Sequence, residues 1–357
     1  MFPINPGPNI GRKTDMEPLS HKILMITPFD KSQRGNSLTT ARIQSGLTAR
    51  GFHIDRLSLE DHNWEGQMQL ALAQSEYSLV HGFHALHFNK VLQLFPQIRS
   101  LPIILTTTGT DIHYDLWGAE KALVWDAIQS AQRIVFFNDD FRTGLLAVYP
   151  EILDKLVTIP QGVCLEQGPI KSRQQLGLST EEFIFLLPSG LRPVKDIHLA
   201  VDALSILYQK NPAIRLLIIG PIIDYQYGSQ VLSRISKLSW VTYLGEIPHS
   251  KMANIFAIGD VVINSSLSEG QPQAALEAMS LGKPCILTAV SGNLNLIKAG
   301  VEGFYINDRF EMFTAAERLL ENKSLREEMG QNARKLIQAR FTVEQEIDAY
   351  QRLYCSM

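Results

Sequence analysis

Short apolar runs alternate with helix-sized stretches along almost the whole chain, and that rhythm restricts the fold more than any other feature. K-I-L-M-I-T-P at 22–28 leads into the polar loop F-D-K-S-Q-R-G-N. S-L-T-T-A-R-I-Q-S-G-L-T-A-R follows, with Leu38, Ile43 and Leu47 near helical spacing before Gly51. Further runs at 77–81, 102–107, 134–138 and 156–160 predict strands of a parallel sheet with helices between them. P-Q-G-V-C-L-E-Q-G-P at 160–169 is rich in proline and glycine, and the alternation restarts beyond it, so a hinge is expected there. The second series of runs lies at 183–188, 214–219, 240–244, 261–265 and 284–288.

These runs predict an α/β protein of two doubly wound domains, with ligands beyond the carboxyl ends of the strands. The expected division is a loose tail at 1–20, a first domain at 21–163, a second at 164–342, and an amphipathic helix at 343–357 packing back across the domains. A length of 357 residues, 45% of them hydrophobic, suits two such cores.

Lys and Arg number 33 against 36 Asp and Glu, so no overall positive field is present to hold nucleic acid or an acidic membrane. Cys164, Cys285 and Cys355 are widely spaced without a C-x-x-C pair, which argues against a disulfide framework or zinc site and fits a cytoplasmic setting. Neither a signal peptide nor a run of ~20 apolar residues is evident. His81, His84 and His87 in V-H-G-F-H-A-L-H are read as a strand end followed by a loop, with a metal cluster as the lesser alternative.

Two stretches carry candidate chemistry. In S-E-G-Q-P-Q-A-A-L-E-A-M, strong helix formers follow Pro272, so a helix is expected to begin near Pro272 or Gln273. Glu269 then lies in the preceding loop and Glu277 one turn into the helix. A diphosphate suits such a helix end, where free N–H groups and the dipole favour an anion. Carboxylates there would repel it, so their natural partners are hydroxyls further along a ligand. The plainer alternative makes Glu269 a helix cap and Glu277 a solvated charge. In P-S-G-L-R-P-V-K-D, Gly190, Arg192 and Lys195 occupy a strand-to-helix loop, where two cations can neutralise a leaving diphosphate without a metal. No D-x-D triplet occurs in the chain.

G-L-R-P-V-K-D, L-I-I-G-P, V-T-Y-L-G-E-I-P and N-S-S-L-S-E-G-Q-P-Q-A-A-L-E-A-M-S-L-G-K-P-C-I-L-T together resemble the retaining GT-B glycosyltransferases of family 4. Within that family the chain looks closest to the glycosyltransferase-1-domain-containing subgroup. Its first half is also similar to selenosugar synthases through G-N-S-L-T-T-A-R and T-G-T-D. The resemblance implies a GT-B fold, two Rossmann-like domains facing a central cleft, with a nucleotide diphosphate sugar as donor, no cofactor and no metal.

Position by position, the resemblance implies that Arg192 and Lys195 bind the diphosphate and Glu277 holds the ribose. Glu269, with the backbone of Gly270, Gln271, Pro272 and Gln273, grips the donor sugar. Gly35 and Asn36 close on the diphosphate from the first domain, and the base lies near Leu244 to Ile247. Thr108 in T-T-G-T-D stands where many members carry a histidine. Thr108, Asp111 and His113 are therefore the acceptor-side candidates, with His113 either replacing that histidine or lying on the surface.

The expected activity is transfer of a sugar to an unidentified acceptor, by same-face attack assisted by the leaving phosphate. The alternatives are a non-catalytic nucleotide-sugar-binding protein and a nucleotide-sugar epimerase of the same architecture. A Rossmann dehydrogenase is disfavoured because the loop at Gly35 lacks G-x-G-x-x-G.

Overall fold

The computed structural model describes residues 22–30, 35–165 and 173–357. The tail expected at 1–20, part of the loop before Gly35 and part of the expected hinge at 160–169 fall outside them. The described strands form two six-stranded sheets, and every pairing between them is parallel.

The first sheet holds β1 (Lys22–Thr27), β2 (His53–Ser58), β3 (Tyr77–Phe83), β4 (Ile103–Thr106), β5 (Arg133–Phe136) and β6 (Leu156–Thr158), in the order β2-β1-β3-β4-β5-β6. The second holds β7 (Phe183–Pro188), β8 (Ile214–Ile219), β9 (Val241–Tyr243), β10 (Val261–Asn264), β11 (Cys285–Thr288) and β12 (Gly303–Ile306), in the order β12-β11-β10-β7-β8-β9. The strand order reverses between β1 and β3 in one sheet and between β7 and β10 in the other. A doubly wound sheet opens its ligand crevice at such a switch point.

Both faces of each sheet are covered, which is why the central strands read as unbroken apolar runs. Leu24 and Ile26 enter one core of the first domain, while Ile23 and Met25 enter the core on the opposite face. Phe185 and Leu187 likewise part from Ile184 and Leu186 in the second domain.

Two strands lie outside the stretches that the sequence predicts as strands. β2, H-I-D-R-L-S, is an edge strand that buries only Leu57 and Ser58, so little of it needs to be apolar. β12 is a four-residue edge strand that follows the turn at Gly300.

The final helix, Val343–Cys355, starts with a reciprocal cap between Thr342 and Gln345. Its Ile347, Tyr350, Leu353 and Tyr354 share a core with Ile23, Met25 and Ile43, which places it against the first sheet. The Tyr354 hydroxyl lies 2.6 Å from His81 Nδ1, and His81 Nε2 lies 2.7 Å from Thr106 Oγ1. Glu346 grips Arg42 through both carboxylate oxygens, at 2.6 and 2.9 Å. The chain therefore passes between the domains twice, and the passages touch, with Val163 N–H donating to the Phe341 carbonyl at 2.8 Å.

Candidate active site at the interdomain cleft

β7 and β10 are hydrogen-bonded neighbours, with Val262 opposite Leu186, so the loops leaving their carboxyl ends must lie side by side. The loop after β7 carries Gly190, Arg192 and Lys195; the loop after β10 carries Ser266 and Glu269. Leu267 N–H donates to the Val194 carbonyl at 2.8 Å, and Ser265 Oγ to the Lys195 carbonyl at 2.9 Å. This stitching brings Lys195 Nζ within 2.5 Å of Glu269 Oε1. The same oxygen accepts from Ser266 Oγ at 2.6 Å and Asn264 Nδ2 at 2.8 Å. Burial alone would raise the Glu269 carboxyl; the charge of Lys195 and the bonds from Lys195, Ser266 and Asn264 outweigh it and hold the group below its usual range.

The helix Gln273–Ser280 begins after Pro272, where the sequence places it. Glu277 is buried on its first turns, with Oε1 2.8 Å from His249 Nε2. The capping and solvated-charge alternatives are thereby replaced: Glu269 makes its bonds to side chains of the cleft, and Glu277 faces inward.

A cleft of about 640 Å³ separates the domains. Arg192, Lys195, Glu269 and Glu277 all line it, with Gly190 and the run Gly270, Gln271, Pro272 and Gln273. Gly35, Asn36, Thr39 and Arg42 line the opposite side from one face of the helix Gly35–Thr48, and Thr108 lies at its edge. Gly35 and Asn36 belong to the first turn of that helix rather than to a free loop.

Several of these side chains are already engaged. The Gln271 carboxamide bonds both backbone groups of Gln161, accepting from its N–H at 3.0 Å and donating to its carbonyl at 3.1 Å. Gln273 Nε2 donates to the Gly162 carbonyl at 2.9 Å. Both glutamines thus tie the second-domain loop to the connecting segment. Gly109, at φ +116°, touches the same loop, and a Cβ there would sit 2.7 Å from the Gly270 nitrogen. Only glycine permits that approach of one domain to the other.

Three expected site residues do not line the cleft. Leu244 packs against an apolar core of the second domain, while Glu246 and Ile247 of the same loop do reach the cleft. Asp111 is fully buried, and its carboxylate accepts from the N–H groups of Ala85, Thr108 and Gly109, so it shapes the T-T-G-T-D turn. His113 is half-buried rather than superficial, with its ring 4.4 Å from Phe141. Burial lowers its pKa against the opposing pull of Asp111, a bond to the Glu269 backbone and the Glu269 charge.

The expected histidine arrangement is also corrected. β3 runs to Phe83 and the helix Ala85–Leu94 starts directly after His84, leaving no loop between them. No cluster of potential metal ligands occurs among the described residues. Asn264, Ser266, His249 and Arg42 are not among the candidates expected from sequence. Asn264 and Ser266 were detectable as polar residues at a strand end; His249 and Arg42 gave no local signal, because their partners are distant in sequence.

Two doubly wound sheets facing each other across a cleft fed by both switch points define the GT-B architecture. Residues 170–336 match the family described as glycosyl transferases group 1. Glycosyltransferase 1 domain-containing protein 1 of Xenopus tropicalis is 27% identical over 351 residues, covering 94% of this chain and 98% of that protein. Sucrose-phosphate synthase of Thermosynechococcus elongatus superposes with a TM-score of 0.79 at 18% identity, covering 94% of this chain and 100% of the solved chain. HepE of Anabaena, solved with UDP and glucose, gives 0.76 at 19% identity with the same coverages. Residues 170–336 thus match the glycosyl transferases group 1 family, and the chain as a whole has the GT-B fold. Among the described residues, no helix is long and apolar enough to cross a membrane.

Proposed function

We propose that the protein is a retaining glycosyltransferase that takes a sugar from a nucleoside diphosphate sugar, with uracil as the first base to test, and passes it to an acceptor hydroxyl. The observation that carries this reading is the convergence of Arg192, Lys195, Glu269 and Glu277 on one cleft, opposite Gly35 and Asn36. HepE, of the same fold, was solved with UDP and glucose in place.

In this reading Arg192 and Lys195 neutralise the diphosphate as the bond to the anomeric carbon breaks, so no divalent ion is needed. Glu277 accepts from the ribose hydroxyls, with His249 orienting its carboxylate. Glu269, kept ionised by its neighbours, offers Oε2 to a sugar hydroxyl, since the three bonds described above all fall on Oε1. The acceptor oxygen attacks from the face the phosphate leaves, and its proton passes to the departing phosphate oxygen. The Gln161–Gln271 clamp and the Gly109–Gly270 contact hold the domains together and keep water from the donor.

The test is a thermal shift with UDP, other nucleoside diphosphates and their sugar derivatives. A ligand at a hundred times its Kd stabilises the fold by about 2.7 kcal/mol. A shift with UDP and UDP-sugars, together with release of UDP, supports the reading. A chain that no nucleotide stabilises overturns it.

A further inference from the structure

The cleft has an imidazole on its first-domain side, although Thr108 stands where the family resemblance implies a histidine. It belongs to His84, which directly follows β3 and precedes the helix Ala85–Leu94; a second imidazole lining the cleft, that of His87, lies 4.5 Å from it. β3 and β1 flank the switch point of the first sheet, so His84 projects from the same crevice as Gly35 and Asn36.

Two features of His84 serve no purpose in the fold alone. Its backbone has φ +65° and ψ +105°, a region that side chains other than glycine rarely enter. The residue is 7% exposed and lines the cleft, yet buried Nδ1 has no hydrogen-bond partner among the described residues. Nε2 lies 3.1 Å from Thr110 Oγ1, which fixes the ring plane. Glycine would remove the strain, and an apolar side chain would remove the unsatisfied nitrogen. Strain and an orphaned polar atom at one cleft residue are together the mark of a site that a ligand completes. The other candidates at this end do not meet that description, because Asp111 is saturated by backbone N–H groups and His113 does not line the cleft.

We propose that His84 contacts a carbohydrate hydroxyl through Nδ1, beyond the diphosphate, with Thr110 as its positioning residue. The threonine hydroxyl can donate or accept, so the ring can present Nδ1 in either role. The hydroxyl comes from the transferred sugar or from the acceptor. The inference rests on the donor reading above, so wild-type binding of UDP is measured first.

The test uses the full chain with four variants: His84→Ala, His84→Asn, His84→Gly and Thr110→Val. Asn and Gly tolerate positive φ and keep the experiment readable if alanine does not fold. Calorimetry with UDP, UDP-glucose, UDP-galactose and UDP-N-acetylglucosamine is combined with transfer to a panel of alkyl glycosides. UDP affinity is expected to stay within about two-fold of wild type, while recognition of one hydroxyl falls about ten-fold, the worth of a single hydrogen bond. A loss of UDP-sugar affinity assigns the hydroxyl to the donor. Unchanged donor affinity with a raised acceptor KM assigns it to the acceptor. His84→Gly is expected to show the same loss without a lower melting temperature.

Wild-type values for donor and acceptor in a folded His84→Ala overturn the proposal and leave His84 a strained core histidine. An equal loss of UDP and UDP-sugar binding also overturns it, because the ring would then only support the cleft. A wild-type chain that binds no nucleotide removes the donor reading and this inference with it.

Discussion

Lys195 and Glu269 stand 74 residues apart in sequence, yet hold each other at 2.5 Å across the ends of two neighbouring strands. Lys195, proposed to bind the diphosphate, is therefore not a lone cation in the free protein, and Glu269, proposed to bind the sugar, is not a lone carboxylate. A bound anion must compete for Lys195, and a sugar hydroxyl meets a carboxylate whose charge is already fixed. Lys195→Ala is expected to weaken UDP and UDP-sugar binding alike, by about ten-fold or more, as loss of a charged hydrogen bond implies. Glu269→Ala should spare UDP, or tighten it by releasing the lysine, while harming UDP-sugar binding. Calorimetry on the two variants checks this, and exchanged phenotypes would reverse the assignment.

Glu277 is buried against His249, so its removal should be felt by the nucleotide itself. Glu277→Ala is expected to lower affinity for free UDP about ten-fold, the effect of one lost hydrogen bond to a charged group. Affinity equal to wild type would place the ribose elsewhere.

His81 makes stability depend on pH. Burial pushes its pKa down to about 3, against 6.5 for an ordinary histidine. As pH falls below 6.5 the unfolded chain takes up a proton that the folded chain refuses until about pH 3. Stability is therefore whole above 6.5 and declines below it by up to about 1.4 kcal/mol per pH unit from this group. His113, also lowered by burial, adds to the slope. Urea unfolding between pH 7.5 and 5 should show a shallower decline in His81→Gln than in wild type. Equal slopes would exonerate His81.

Arg42 and Glu346 form a bidentate pair with the carboxylate fully shielded from water. Burial works against the Arg42 charge, but its hydrogen bonds to Glu346 and the charge of that carboxylate raise its pKa overall. Removing one partner of such a pair costs about 3–5 kcal/mol, because the other charge stays buried alone. Glu346→Ala should lose that much in urea unfolding, and Arg42→Met/Glu346→Leu should recover most of it. A loss below ~1 kcal/mol for Glu346→Ala would show that the pair is dispensable.

Gly35 and Gly270 both border the cleft but differ in surroundings. Among the described residues, a Cβ on Gly35 meets nothing within 4 Å, whereas one on Gly270 meets the Thr108 carbonyl oxygen of the other domain. Gly35→Ala is expected to fold as wild type, so any loss of UDP affinity reports a contact with ligand. Gly270→Ala should force the domains apart and lower the melting temperature. Thermal scans with and without UDP separate the two.

The sheets were legible because their strands are buried on both faces, as Ile23, Leu24, Met25 and Ile26 illustrate. The edge strands β2 and β12 were not, since an edge tolerates polar residues or turns within a few residues. At the site, the start of the helix at Gln273 followed from helix formers behind a proline, whereas the inward placement of Glu277 stays open against a solvated charge without the family resemblance. The ion pair of Lys195 with Glu269 did not follow, because it depends on which strands become neighbours. That adjacency of β7 and β10 is a property of topology, which local patterning does not encode. His84 was read as part of a strand end and loop, with a metal ligand as the lesser alternative, since neither its backbone strain nor its orphaned nitrogen leaves a trace in composition.

The closing helix has a consequence for how the chain comes into being. Ile347, Tyr350 and Tyr354 fill the same interior as Ile23, Met25 and Ile43, so the first sheet is completed by a helix that comes after the whole second sheet in sequence. A nascent chain leaving the ribosome must hold its first sheet open on one side until that helix emerges. A premature stop just ahead of Val343 would deprive the first sheet of its wall.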